Sequence, residues 1–176
     1  IWNPGSWVID IQLYSRTLRG LNSLATGFEN VRRGEIIRGD GQILGIDFLV
    51  KKRWKHVKSW ISYTLSQTLY EFPTFFDPSF AAAHDQRHLF NWVNQFEWKK
   101  WNATIGWNYS SGLPFSDFEN FDIIDPPMGP PQAVPLYRNY HAERLPAQHN
   151  LNLSLLYQLA PLENASWKGV IGFSVY

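Results

Sequence analysis

Between Trp101 and Ser110 hydrophobic character alternates without a break. Trp101, Ala103, Ile105, Trp107 and Tyr109 take the odd positions, and Asn102, Thr104, Gly106, Asn108 and Ser110 the even ones. A repeat of two sends successive side chains to opposite faces, so it predicts a strand with one apolar and one polar face. Residues 150–159 repeat the pattern. Leu151, Leu153, Leu155, Tyr157 and Leu159 oppose Asn150, Asn152, Ser154 and Gln158, with Leu156 the exception. Five further segments alternate less cleanly around Ile9 and Ile11, Leu44 to Val50, Ile61 to Leu65, Phe90 to Trp98, and Ile171 to Val175. Seven strands are predicted, at 6–17, 41–53, 57–72, 85–98, 101–113, 145–160 and 166–176. Helical periodicity appears over no useful length.

The connections between these strands alternate in length. Those at 18–40, 73–84 and 114–144 are long, and those at 54–56, 99–100 and 161–165 are short. Consecutive strands then run antiparallel, with the short turns at one end and the long loops at the other. Transmembrane β-barrels segregate their loops in this way. Tryptophan follows the same division. Trp54 lies in the first short turn, Trp98 and Trp101 bracket Lys99 and Lys100 in the second, and Trp167 follows the third. At the other end Tyr14, Tyr70, Phe72, Tyr109 and Phe115 stand where strands enter the long loops. The tryptophan end suits an interfacial aromatic girdle.

Alternation alone does not say which face is covered, since a soluble barrel alternates too. Composition helps here. Charged residues make up 18% of the 176, against about 25% in an average soluble domain. The polar faces carry Asn, Ser, Thr, Gly and Gln rather than the mixed charges of a water-exposed exterior. Lipid on the apolar face is the expectation. There is no continuous apolar run for a spanning helix, and no signal peptide is evident. Seven strands would leave two unpaired edges in lipid, so residues 1–176 read as part of one larger barrel domain.

Several segments resemble one family in order and spacing. Gly45-Ile46-Asp47-Phe48-Leu49-Val50-Lys51-Lys52, Trp60 to Ser66 and Asp85-Gln86-Arg87-His88 resemble consecutive strands of TonB-dependent outer-membrane receptors. So do Trp107 to Phe115, Arg144 to Leu153, and Val170 to Tyr176. Asn152 stands where that family usually has Asp. No single motif is specific; their order over most of 41–176 is, and their style is most like receptors of the Bacteroidetes. The resemblance implies about seven strands from the C-terminal half of a 22-stranded antiparallel transmembrane β-barrel. It further implies a plug domain and TonB box outside this segment, partnership with TonB-ExbB-ExbD, and energised uptake of a peptide, glycan, siderophore or similar nutrient. A surface-exposed lipoprotein is a further partner to expect.

Candidate chemistry is sparse. His84, Asp85, Arg87 and His88 form the one dense titratable cluster. On a strand His84 and His88 would lie about 13 Å apart, too far for one metal. A charge pair between Asp85 and Arg87 is expected instead. Asp47, Asp85, Arg87, Glu97 and Arg144, together with Lys168, fall at positions assigned to the lumen side. The aromatics Phe115, Phe118, Phe121, Tyr137 and Tyr140 of the proline-rich loop 114–144 offer stacking surface for a substrate or a partner. The basic run from Lys51 to Lys58 suits a turn bordering anionic headgroups better than a nucleic-acid patch. The Asn-X-Ser/Thr sequons at Asn102, Asn108 and Asn152 lie on polar strand faces, where glycosylation would be impossible; a fourth is at Asn164. The chain has no cysteine. No catalytic triad, carboxylate dyad, metal site, cofactor motif or nucleic-acid signature is found, so no enzyme is expected. Two other readings stay open: a non-transporting outer-membrane barrel subunit, and a soluble aromatic-rich binding barrel.

Overall fold

The period-two segments fold as strands and pair with their neighbours in sequence. The computed structural model describes residues 5–24, 34–74, 78–124, 129–137, 140–159, 167 and 169–176, and no helix occurs among them. The strands are β1 (Trp7–Leu24), β2 (Ile36–Arg53), β3 (Val57–Glu71), β4 (Ser79–Ala81), β5 (His88–Trp98), β6 (Trp101–Ser110), β7 (Pro114–Phe115), β8 (Phe118–Ile124), β9 (Gln132–Tyr137), β10 (Glu143–Arg144), β11 (Gln148–Leu159) and β12 (Gly169–Val175). The main sheet is antiparallel in the order β1-β2-β3-β5-β6-β11-β12, with β4 beside β3. Two small ladders, β7 with β10 and β8 with β9, form within 114–144. The sheet is open, with β1 and β12 at its edges.

The main path holds the seven predicted strands, with differences at their ends. β1 and β2 continue past 17 and before 41, so their connection is shorter than expected. Their pairing slips between Leu18 and Leu21, and such a bulge resets the facing and hides the alternation. β5 begins at His88 rather than at 85. The connection 73–84 contains β4, too short to show a period.

Register carries one face across the whole sheet. Partners in an antiparallel ladder point to the same side. Trp7 pairs with Lys52, Lys52 with Ser59, Ser59 with Asn94, Asn94 with Ile105, Ile105 with Leu153, and Leu153 with Val175. Counting in twos from that row gathers Ile9, Ile11 and Leu13 of β1, Leu44 to Val50 of β2, and Ile61, Tyr63 and Leu65 of β3. It also gathers Phe90, Trp92, Phe96 and Trp98 of β5 and the apolar sets of β6, β11 and β12. The alternation read within single strands therefore becomes one continuous apolar face. Among the described residues no second layer covers it: Leu13 is 80% exposed and Phe173 67%. A patch this broad far exceeds the few hundred Å² that soluble monomers expose. Ser59 and Asn94 are polar interruptions within it.

The same row measures the tilt. It starts at the first residue of β1, at the short-turn end, and finishes on the last residue of β12, six positions from Gly169. Six rises of about 3.3 Å over six strand spacings of about 4.8 Å give a tilt of about 35°. Barrel strands tilt by about 35–45°. On β6 the apolar set from Trp101 to Tyr109 then stands about 22 Å high along the axis, close to the apolar band of about 25 Å in outer-membrane barrels.

The opposite face carries Asp10, Gln12, Asp47, Ser62, Thr64, Ser66, Asn91, Gln95, Asn102, Thr104, Asn108, Asn152 and Ser154. Among the described residues a cluster of buried hydrophobics lies at its long-loop end, where Ile37, Phe72 and Phe80 are buried with Leu21, Tyr70 and Tyr140 against them. Tyr14, Tyr70 and Phe72, which stand where strands enter the long loops, fall by position on this polar side. β2 glycines make room for the rings: a Cβ on Gly45 would overlap the Tyr14 ring, and one on Gly39 the Phe72 ring. Tyr109 remains on the apolar face, with its ring 5.0 Å from His149.

Candidate functional site on the polar face

At the long-loop end one carboxylate links four segments. β3 is paired by β5 up to Leu65 and by β4 from Leu69. The stretch between would leave main-chain donors open. Ser66 N donates to Arg87 O at 3.1 Å. Thr68 N donates to the side chain of Asp85, Oδ1, at 2.7 Å. Asp85 thus stands in for a strand partner in the gap between β4 and β5. That explains why the predicted strand start at 85 moves to His88.

The other carboxylate oxygen takes the charges. Arg144 Nη2 donates to Asp85 Oδ2 at 2.5 Å, while its Nη1 reaches Asp85 O at 2.8 Å and Gly112 O at 3.1 Å. Arg87 Nη2 stands 3.6 Å from Oδ2. The Asp85 side chain is 1% exposed, whereas the Arg144 and Arg87 side chains are about a third exposed. The expected Asp85–Arg87 pair is therefore present, but the closer partner is Arg144, 59 positions away. Arginine suits this place because its planar fork meets a carboxylate and two carbonyls at once.

Arg144 belongs to β10, whose pairing with β7 closes the root of loop 114–144. Leu145 N donates to Leu113 O at 2.9 Å. Gly112 is needed there, since a Cβ would overlap the Leu145 carbonyl. The returning part of the loop, at Tyr140 and His141, then lies against β4. Tyr140 packs edge-on to Phe80 with centroids 4.7 Å apart, and His141 Nδ1 lies 2.7 Å from Ala81 O. Because a carbonyl only accepts, Nδ1 carries the proton. His141 N donates to Ser116 Oγ at 2.8 Å, which holds the residue at a φ of 53°.

The other predicted residues fall as follows. Asp47 is on the polar face and accepts a 2.6 Å hydrogen bond from Thr64 Oγ1. Glu97 is on the same face at the short-turn end, paired with Lys58 at 2.8 Å. The five described charges among those proposed for the lumen side thus lie in three separate places. Asp85, Arg87 and Arg144 come together, and Asp47 and Glu97 do not join them. Of the loop aromatics, Phe115 of β7 is exposed and Tyr140 is half-buried on Phe80. Phe118 and Phe121 lie on β8 and Tyr137 on β9. Lys168 and Asn164 lie outside the described residues.

Sequence reasoning missed Thr68, Gly112, Ser111 and His141. Ser111 Oγ accepts from His88 N at 3.0 Å, and Tyr63 OH lies 2.8 Å from His88 Nδ1. Only Gly112 had a local signal, as a glycine beside Pro114 at a strand end. Among the described residues no group of three or more His, Asp or Glu side chains is placed to hold a metal ion. The arrangement is that of a clamp: it fixes where a long loop leaves the sheet. Comparison of the chain with family models, curated proteins and solved structures returns no match.

Proposed function

We propose that this chain is a sector of the wall of an outer-membrane β-barrel, of the kind found in TonB-dependent transporters. The observation that carries the barrel reading is the apolar face, continuous in register over seven strands and uncovered. The tilt of about 35° falls at the low end of the range of barrel strands, and the band of about 22 Å fits a hydrocarbon core crossed by β-strands. In this reading lipid covers the apolar face, and the polar face lines a lumen that holds a plug.

The transport reading rests on the order of family-like segments along 41–176. It implies energised uptake of a nutrient such as a peptide, glycan or siderophore, with TonB-ExbB-ExbD supplying the force. Loop 114–144 would face the outside, with its root clamped by Arg144 and a surface lipoprotein as a neighbour. No residue is proposed to do chemistry.

Two measurements on the full-length protein test the two halves of the proposal. A barrel in the outer membrane resists carbonate extraction and changes gel mobility on boiling; a protein soluble without detergent would overturn the barrel reading. Transport predicts that full-length protein binds the purified periplasmic domain of TonB. A folded barrel that does not bind it leaves a non-transporting wall protein.

A further inference from the structure

The short-turn end carries a feature that a barrel wall does not require. Within the last two residues of each strand there and in the adjoining described turns stand Lys52, Arg53, Lys55, Lys58, Lys99 and Lys100. Glu97 is the one carboxylate among the described residues of that end, and it pairs with Lys58. Five tryptophans share the rim. Trp7, Trp54, Trp98, Trp101 and Trp167 are each between 38% and 55% exposed.

Lys52 is placed differently from the rest. By register it lies on the apolar face, opposite Trp7. Among the described residues it is the one lysine or arginine on that face between the rim and the start of the long-loop extensions. Its ammonium is 4.2 Å from the Trp7 ring centroid and 5.7 Å from that of Trp54. Two strands further on, Lys99 Nζ lies 4.9 Å from the Trp98 ring. A lysine flanked by indoles at the end of an apolar band has its stem in hydrocarbon and its charge at headgroup depth. The rings orient the ammonium without neutralising it, which leaves a net attraction for anions.

On the barrel reading above, we propose that this rim is a binding surface selective for anionic phospholipid headgroups, with Lys52 between Trp7 and Trp54 at its centre and Lys99 on Trp98 as a second point. The partner is the phosphodiester and net negative charge of a lipid such as phosphatidylglycerol, rather than any zwitterionic headgroup. Indoles sit at the level of the glycerol backbone, and the lysines reach the phosphate plane.

The test uses full-length protein folded into phosphatidylcholine vesicles containing one-fifth phosphatidylglycerol, with bromine on the acyl chains of one lipid or the other. Bromine quenches tryptophan on contact. Correcting for abundance, brominated phosphatidylglycerol should quench about twofold or more better, because lysines near the surface attract anionic lipid. High salt should shrink that preference. Lys52→Gln with Lys99→Gln should remove it, while Arg16→Gln with Arg38→Gln, at the long-loop end, should not. Equal quenching by the two lipids in low salt, or a preference that survives Lys52→Gln with Lys99→Gln, overturns the proposal. Absence of quenching by either lipid would instead remove the barrel reading, and the headgroup site with it.

Discussion

Asp85 shows how much one side chain settles at a strand end. It accepts from Thr68 N and receives Arg144 and Arg87 while itself excluded from water. Breaking a buried ion pair costs about 3–5 kcal/mol, because the remaining charge is stranded. Arg144 is a third exposed and can be hydrated, so Asp85→Asn should cost about 1–3 kcal/mol. The loss should fall on the loop rather than on the sheet. In limited proteolysis of folded full-length protein, cleavage within 114–144 should rise about tenfold, the equivalent of 1.4 kcal/mol. Arg144→Lys should act in the same direction, since a lysine ammonium cannot bridge the carboxylate and both carbonyls. Protection equal to wild type in both variants would show that the clamp does not hold the loop. Gly112→Ala tests the same root by crowding, since its Cβ would overlap the Leu145 carbonyl. It should open the β7–β10 pair and expose the same cleavage sites; an unchanged digest would show that the root tolerates the displacement.

At the scale of the element, β6 gives the sharpest contrast. Ile105 and Thr104 are neighbours in sequence and lie on opposite faces, in the middle of the apolar band and of the polar face. An arginine at the midplane of a lipid face costs roughly 2–4 kcal/mol, and little on a wet one. Ile105→Arg should therefore reduce the heat-modifiable, folded fraction of full-length protein, and Thr104→Arg should leave it near wild type. Equal folding of the two variants would mean that the facing is wrong. Which residues share a face was legible in the sequence wherever a strand keeps its period from end to end, as β6 does. Leu156 broke the pattern on β11. Its ladder partner is Gly172, where its side chain occupies the space a Cβ would need. The ends were less legible. β1 and β2 run past their predicted limits because a bulge resets the facing at Leu18 and Leu21. The tie between Asp85 and Arg144 was not legible at all. A contact across 59 positions leaves no local pattern, and each residue alone reads as an ordinary loop-end charge.

At the scale of the whole molecule the open edges bear on the barrel reading. β1 pairs only with β2, and β12 only with β11, in the main sheet. Their outer main-chain groups have no ladder partner among the described residues. In water such edges are a template for association. In hydrocarbon each open group costs several kcal/mol, which no strand of this composition offsets. The apolar face continues to both edges, through Ile9 and Ile11 on one side and Ile171 and Phe173 on the other, so lipid covering the face would reach the edges as well. The face and the edges are then compatible only if further strands pair with β1 and β12. For full-length protein in lipid this gives a measurable expectation. Amide hydrogen exchange at Ile9–Leu13 and Ile171–Phe173 should be as slow as at Ala103–Trp107 in the middle of the sheet. Exchange at β1 and β12 faster by orders of magnitude, with β6 still protected, would show that the edges are open in the membrane and that this sheet is no sector of a closed wall.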